Sequence, residues 1–253
     1  MNVLAFFAHP DDETMLCGGT LILLANLGAR VEVLCATRGE GGELGNPPVC
    51  TRAEIGRVRC QELACAVQRL GGSRLTFLDF VDPMVGPGEE LYPFTQDEES
   101  LASELMDHIL RSKTQVLLTH GSNGEYGHPA HTLIYRAARR TIDKLNTDAP
   151  LWYTIQAGYA GHPRPRLMNV DDLAHMVLDV SSVVEVKAQA ALCHRTQHDL
   201  FMRRTAELVG HPVTVEETVL TEESLHRVSP VVNGVLSDDF AILLQKSGKI
   251  RGV

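Results

Sequence analysis

The sequence predicts an α/β fold of the Rossmann-like, doubly wound type, in which helices cover both faces of a mostly parallel sheet. Short, continuously apolar segments of strand length alternate with longer segments whose apolar residues recur at helical spacing. Stretches rich in glycine and proline separate them. Such alternation is typical of parallel strands that are joined by helical crossovers.

The size of the chain and its charge limit what it can be. Its 253 residues suffice for a sizeable core, and we expect one α/β domain over residues 1–253, with about 170–253 forming a C-terminal extension packed on it. The net charge of -9 disfavours a nucleic-acid partner recognised through its phosphates. No signal peptide is visible, and no apolar run approaches the roughly 20 residues that span a bilayer. We therefore expect a cytoplasmic protein with no membrane partner.

The cysteines form no recognisable motif. They stand at positions 17, 35, 50, 60, 65 and 193. No CxxC pair occurs, so neither a zinc knuckle nor a thioredoxin-like site is indicated. We expect reduced cysteines in the core of a cytosolic protein.

The elements follow one another in a regular order. Residues 3–8 predict a strand that is buried on both faces, and residues 13–27 predict a helix that ends at Gly28. Thr51 and Glu54 have the spacing of a capping box at the start of the next helix. Further strands are predicted at 31–36, 75–78, 116–119, 151–156 and 176–180, and further helices at 51–70, 98–112, 129–145 and 183–204. No element is predicted beyond about residue 211.

The predicted topology brings two polar loops together. In the doubly wound order 3-2-1-4-5, strands 1 and 4 are neighbours, and ligands bind outside their carboxyl ends at this switch point. The loops that follow these two strands are the richest in histidine and aspartate. We therefore expect the loop of His9 to meet the loop of His128 and His131.

Two imidazoles and one carboxylate suit Zn²⁺, and three protein ligands with an open fourth position are typical of a catalytic zinc site. We assign His9, Asp12 and His131 as the ligands, which could also hold Fe²⁺ or another divalent ion. Asp11 is left free to act as general base. His128 could stabilise an oxyanion or protonate a leaving nitrogen. This arrangement predicts metal-assisted hydrolysis of an acyl bond.

Other interpretations of these residues are common. A histidine at a strand end is more often structural, and adjacent acids at a helix start often complement the helix dipole. The coincidence of two such loops at the switch point favours a site. A dinucleotide site is disfavoured, because no G-x-G-x-x-G follows the first strand.

Two motifs carry a resemblance to a known family. Residues 8–13 read AHPDDE and residues 127–131 read GHPAH, a pattern that resembles the LmbE-like, or PIG-L, family of zinc-dependent N-acetylglucosaminyl deacetylases. Members of this family hydrolyse N-acetyl groups from amino sugars and their conjugates. The resemblance covers roughly residues 3–200 and implies the same zinc ligands, with Asp11 as base and His128 as electrostatic partner. It also implies a set of residues at the substrate pocket, namely Glu40, Arg59, Tyr126 and His194. Without the resemblance, Arg59 would be interpreted as an exposed helix arginine and Tyr126 as a loop aromatic, and a structural role for His194 is an equal alternative.

The second motif departs from the family at Ala130. Many relatives have His-Pro-Asp-His where this chain has His-Pro-Ala-His. The missing acid would pair with the first histidine and raise its pKa. We therefore predict either a less basic His128 or another acid that substitutes for the missing one.

The expected function is a metal-dependent hydrolase that removes an N-acetyl or other acyl group from an amino sugar or small glycoconjugate. The alternatives are an amidase of a different thiol or glycoside conjugate and a non-catalytic sugar- or metal-binding protein. Asp11 separates the last alternative from an enzyme, since a pure binder needs no free carboxylate beside its metal. A homo-oligomer is possible, and no residue pattern specifies the substrate.

Overall fold

The computed structural model describes residues 1–251. Its strands are β1 (Asn2–Phe7), β2 (Arg30–Cys35), β3 (Arg74–Phe77), β4 (Val116–Thr119), β5 (Leu151–Ile155), β6 (Ala157–Gly158), β7 (Asn169–Leu173), β8 (Met176–Asp179), β9 (Glu222–Ser229) and β10 (Ile250–Arg251). Its helices are α1 (Asp12–Asn26), α2 (Ile55–Arg69), α3 (Glu98–Ser112), the single turn α4 (Gly124–Gly127), α5 (Pro129–Leu145), α6 (Val184–Ala191), α7 (His198–Val209) and α8 (Asp239–Gln245).

Eight strands form one sheet in the order β10-β8-β9-β5-β4-β1-β2-β3, and β6 pairs with β7 in a small second sheet. The first five strands run parallel, which confirms the predicted order 3-2-1-4-5. Near its carboxyl end β1 pairs with both neighbours, Phe7 with Cys35 and Phe6 with Thr119. The loops that follow β1 and β4 therefore start side by side.

Helices cover both faces of the sheet, which explains the continuously apolar strands. Val3, Ala5 and Phe7 of β1 pack in one cluster with apolar residues of α1, α2 and α8. Leu4 and Phe6 pack in a second cluster with residues of α3 and α5. Successive side chains of a strand point to opposite faces, so a strand between two helical layers is apolar throughout.

The predicted helix over residues 183–204 is wrong, because α6 ends at Ala191 and α7 begins at His198. The intervening residues bond to distant parts of the chain. The backbone N–H and the hydroxyl of Thr196 donate to the Glu62 carboxylate, and the Gln197 amide donates to a carbonyl of the loop after β2. These long-range bonds replace the helical bonds that local propensity favours.

The other differences lie at an element start and in the tail. The helix expected from residue 51 begins at Ile55, after a turn in which Thr51 donates to the Glu54 carboxylate. The tail contributes β9, α8 and β10, and β9 lies antiparallel between β5 and β8. Within residues 1–251, no helix combines the length and the apolar character that crossing a membrane requires.

The expectation of reduced cysteines is wrong for one pair. Cys65 of α2 and Cys193, which follows α6, form a disulfide with their Cα atoms 5.8 Å apart. Cys17, Cys35 and the half-buried Cys60 are free thiols. The disulfide joins residues 128 positions apart in sequence, a pairing that cysteine spacing alone cannot indicate.

The first helix is interrupted, and the C-terminal segment supports it there. Cys17 has non-helical dihedral angles, φ -149° and ψ 20°. The freed N–H groups of Gly19 and Thr20 donate to the carboxylate of Glu223 on β9, at 2.8 and 2.7 Å. Lys187 of α6 lies 2.7 Å from the same carboxylate, and both charged side chains are fully buried. The helix that begins at the site is therefore anchored by the last third of the chain.

Candidate active site

The loops after β1 and β4 meet at the carboxylate of Asp12, the first residue of α1. Its Oδ2 accepts a hydrogen bond from the backbone N–H of His9 at 2.9 Å and lies 3.3 Å from Nε2 of His120. Its Oδ1 lies 3.4 Å from Nε2 of His131, and Nδ1 of His9 is 3.4 Å from Oδ2. Three buried imidazoles therefore surround one buried carboxylate.

Backbone donors reveal the protonation of two histidines. The N–H of Ala130 donates to Nδ1 of His128 at 3.1 Å, and the N–H of Ala8 donates to Nε2 of His120 at 3.2 Å. A neutral imidazole accepts only through its unprotonated nitrogen. In their neutral forms, His128 would therefore carry its proton on Nε2 and His120 on Nδ1, and the remaining lone pair of each ring would be used by a backbone N–H and not by a metal.

His131 differs from both of these histidines. Its Nδ1 lies 2.6 Å from the carboxylate of Glu125, whereas its Nε2 is buried and has no hydrogen-bond partner among the described residues. Buried polar atoms are rarely left without a partner, and a missing ion is one reason for an exception. Nε2 of His131 is thus the imidazole nitrogen that is best placed to bind a cation.

The surroundings of His9 favour positive charge. Its Nε2 lies 3.3 Å from the carboxylate of Asp82, and its Nδ1 faces Asp12. Burial lowers the pKa of His9, but the two carboxylates outweigh burial and raise this pKa to about 9. A divalent cation bound in place of this proton would be attracted by the same two carboxylates, those of Asp12 and Asp82.

The donor set fits a metal ion. Ligand atoms of His9, His128 and His131 lie within 4.8 Å of one another, as do those of Asp12, His120 and His131. The bonds that Ala130 and Ala8 donate disfavour His128 and His120 as ligands. The predicted ligands His9, Asp12 and His131 are divided between these two groups and share His131, and Asp12 lies 3.4 Å from both histidines. Their nitrogen and oxygen donors are of the types that Zn²⁺ and Fe²⁺ both accept.

Asp11 stands beside this cluster in an unusual backbone conformation. Its φ of 114° is rare for a residue with a side chain, and such strain is often found at functional sites. Its N–H donates to the carboxylate of Glu13 at 3.0 Å, and its own carboxylate lies 3.0 Å from Nη2 of Arg59. Burial raises the pKa of Asp11 to about 6, against the opposing effect of Arg59. A carboxylate with such a pKa is suited to proton transfer near neutral pH.

The four predicted pocket residues occupy different positions. Arg59 is buried and also donates to the carbonyls of Pro10 and Gly39. Tyr126 is half exposed, and its ring centroid lies 5.7 Å from that of His128. Glu40 accepts from the backbone N–H of Asp82 at 3.0 Å, so it braces the loop that carries Asp82.

His194 is fully buried, with Nε2 lying 3.1 Å from the carboxylate of Glu13. Glu13 in turn binds the N–H of Asp11. His194 therefore reaches the site through Glu13, although the sequence suggested a direct position at the substrate pocket.

Three residues of the cluster received no role from the sequence. His120, Glu125 and Asp82 each lie next to a predicted ligand or bind it. A weak signal existed for two of them, since His120 directly follows β4 and Glu125 lies three residues before His128. Asp82 lies in a long loop, and only the fold brings it to His9.

The surroundings of His128 make its imidazole weakly basic. Burial is the main cause that lowers the pKa of His128 to about 2, and positive charge on His131 or His9 would act in the same direction. A less basic imidazole is one of the two outcomes predicted above, although burial and not Ala130 is its main cause here. An additional buried acid is present at Glu125, but it binds His120 and His131 and not His128.

The sequence and the fold of this chain are similar to those of known proteins. Residues 4–142 match the family described as PIG-L, GlcNAc-PI de-N-acetylase. A 1D-myo-inositol 2-acetamido-2-deoxy-alpha-D-glucopyranoside deacetylase from Thermobispora bispora is 31% identical over 225 residues, covering 76% of this chain and 74% of the relative.

Two solved structures share the fold. The N,N'-diacetylchitobiose deacetylase from Pyrococcus horikoshii has a TM-score of 0.62 and 18% identity, covering 90% of this chain and 83% of its own. The 4-carboxy-2-hydroxymuconate hydratase from Pseudomonas putida KT2440 has a TM-score of 0.63 and 21% identity, covering 93% and 99%. One is a deacetylase and the other a hydratase, so the fold alone does not select the reaction.

Proposed function

Because this chain belongs to the PIG-L family of GlcNAc-PI de-N-acetylases, we propose that it is a metal-dependent hydrolase that removes the N-acetyl group of an amino sugar conjugate. The observation that carries the proposal is the division between two adjacent carboxylates. Asp12 faces three imidazoles, whereas the neighbouring carboxylate of Asp11 is bound by Arg59. One carboxylate is thus available to a cation and the other to a proton.

His9, Asp12 and His131 would hold the cation, and we propose Zn²⁺ because two nitrogen donors and one oxygen donor suit it. When bound, Zn²⁺ polarises the amide carbonyl and makes water a stronger nucleophile at neutral pH. Measurement of the metal content of the purified protein distinguishes zinc from iron, since both accept these donors.

Asp11 is the proposed general base. It takes a proton from the water that attacks the acetyl carbon, and it returns this proton to the nitrogen as the carbon–nitrogen bond breaks. The products are a free amine and acetic acid, which ionises to acetate at neutral pH. Arg59 stabilises the ionised form of Asp11, so that the base is available although it is buried.

His128 is the proposed oxyanion donor. Its Nδ1 accepts the N–H of Ala130, so the proton on Nε2 can be donated to the carbonyl oxygen as negative charge develops. Because its pKa is low, a neutral His128 acts as a hydrogen-bond donor and not as an acid.

The substrate is proposed to be a small conjugate of N-acetylglucosamine, by analogy with the named activity of the Thermobispora bispora relative. Glu40, Arg59 and the half-exposed Tyr126 are the proposed contacts to it. His194 is proposed to act through Glu13 on the backbone of Asp11. We also propose a cytoplasmic location. Homo-oligomer formation is a separate proposal, which sedimentation tests.

The experiment measures acetate released from N-acetylglucosamine, its inositol conjugate and N,N'-diacetylchitobiose, together with the metal content. The D11N variant should lose turnover and retain its metal. Unchanged turnover in D11N would refute Asp11 as the base. A metal-loaded protein that releases acetate from none of these or related N-acetylated glycosides would favour a sugar- or metal-binding protein or a different reaction.

A further inference from the structure

The buried carboxylate of Glu125 links two histidines of the site. Its Oε2 lies 2.9 Å from Nδ1 of His120 and 2.6 Å from Nδ1 of His131. Its Oε1 accepts from the N–H of Gly121 at 3.0 Å and from the side-chain amide of Asn169 at 3.1 Å. Four donors therefore converge on this single carboxylate.

The backbone of Glu125 has an unusual conformation that this network maintains. Its φ of 55° with ψ of -95° is rare for a residue with a side chain. Its N–H donates to the side-chain oxygen of Asn169 at 3.0 Å, so Asn169 binds both the backbone and the carboxylate of this residue. Strain of this kind persists only where the surroundings over-determine the conformation.

The carboxylate determines the orientation of both imidazoles. An ionised carboxylate only accepts hydrogen bonds, so His120 and His131 each donate through Nδ1. The unprotonated Nε2 of His120 then accepts the N–H of Ala8 at the end of β1. Nε2 of His131 has no hydrogen-bond partner within residues 1–251 and lies 3.4 Å from Asp12.

We propose that Glu125 is a positioning residue, which fixes His131 in the tautomer and orientation that bind the cation. This inference rests on the proposed function, because it takes His131 as a ligand. Carboxylates commonly orient metal-binding histidines in this way, and removing one typically weakens metal binding about 10- to 100-fold. The loop after β4 has Ala130 where many relatives have an acid. Its buried acid is Glu125, which binds the proposed ligand His131 and not His128.

His120 belongs to the same hydrogen-bond network as Glu125. Through Glu125 and the N–H of Ala8, it connects the loop after β4 to the end of β1. These hydrogen bonds link the two loops that supply the proposed ligands. His120 has this role without binding the cation, since its Nε2 lone pair is already used.

The test measures zinc affinity by competition with a chromophoric chelator for the wild-type protein and for E125Q and E125D. In E125Q an NH₂ group replaces one of the two oxygens, so a single acceptor oxygen remains for the four donors, and we expect about 10- to 100-fold weaker binding. E125D keeps the charge and should recover part of the affinity. The matched control is E32Q, because Glu32 is a buried carboxylate beside His108 and away from the site.

A second measurement does not depend on whether the variants fold. Nitrogen-15 chemical shifts of the metal-free wild-type protein report which ring nitrogen carries the proton. At a pH high enough for both rings to be neutral, we expect the Nδ1–H form for both His120 and His131, and the Nε2–H form of His131 would overturn the proposal. Unchanged zinc affinity in folded E125Q would overturn this inference alone. A wild-type protein that binds no divalent cation would also overturn the proposed metal site.

Discussion

The Nη2 atom of Arg59 lies 3.0 Å from Oδ2 of Asp11, inside a pocket where the Arg59 side chain is only 3% exposed. Little solvent screens this pair, so Arg59 has a strong effect on the protonation of its partner. Burial raises the pKa of Asp11 to about 6, and Arg59 opposes that effect. The pair therefore keeps the proposed base ionised at neutral pH.

Replacing Arg59 by Met should shift the acidic limb of the pH–rate profile to higher pH. Asp11 acts as a base only when ionised, so activity rises with pH through its pKa, and removal of the neighbouring positive charge raises that pKa. The measurement is kcat/KM between about pH 4 and pH 9. R57M is the control, since Arg57 lies on the same helix but is exposed and paired with Glu54. An acidic limb that stays in place in R59M would contradict the proposed role.

Removal of proposed ligands should separate metal binding from catalysis. We expect D12A and H131A to lose the metal, because each removes a donor that faces the cluster. H128A should retain the metal, since the Nδ1 of His128 is occupied by the N–H of Ala130. Metal content after dialysis gives the result. Loss of metal in H128A with retention in D12A would refute the ligand assignment.

His128 should contribute no limb to the pH–rate profile. Burial is the main cause that lowers its pKa to about 2, so it stays neutral throughout the neutral range. We expect H128A to lower kcat about 10²- to 10³-fold, which is typical of a lost oxyanion donor. The apparent pKa values of the remaining activity should not change. A basic limb that disappears in H128A would show that His128 acts as an acid.

Two kinds of feature of the site could be predicted from the sequence: residues that are contiguous with a strand, and loops that the order of the parallel strands brings together. The apolar run of β1 determines where His9 emerges, and the parallel order determines which loop meets it. Glu125 and Asp82 could not be assigned, because their partners lie beyond helical or strand spacing. Glu125 has an unusual backbone conformation, and its carboxylate binds two histidines, a combination that residue spacing does not indicate.

The C-terminal region was harder to predict, for a related reason. Residues 192–197 lie within a stretch whose sequence predicted one continuous helix. The bonds between Thr196 and Glu62 stabilise a non-helical conformation there. Strand β9 contains the buried polar residues Glu223 and Ser224, so it lacks the apolar run that identified β1. Tertiary contacts override local propensity in both places.

Reduction of the disulfide should destabilise the protein. Cys65 and Cys193 join α2 to the segment that carries His194, and a cross-link restricts the unfolded chain. We expect C65S to lower the free energy of unfolding by about 2–4 kcal/mol under non-reducing conditions. C60S is the control, because Cys60 lies on the same helix as a free thiol. Equal stability of the wild-type protein with and without a thiol reductant would contradict this prediction.

The buried pair of Lys187 and Glu223 should be important for stability. Their charged groups are 2.7 Å apart and almost fully excluded from solvent, and Glu223 also binds the interrupted part of α1. K187M leaves an unpaired buried carboxylate, and we expect a loss of about 3–5 kcal/mol in the free energy of unfolding.

Urea denaturation measures this loss, and the double variant K187M/E223Q should recover part of it, because no buried charge remains. The control is K144M, since Lys144 forms an ion pair with Glu99 on the exposed surface, and exposed pairs contribute little. If K187M is no less stable than K144M, the pair does not anchor α1.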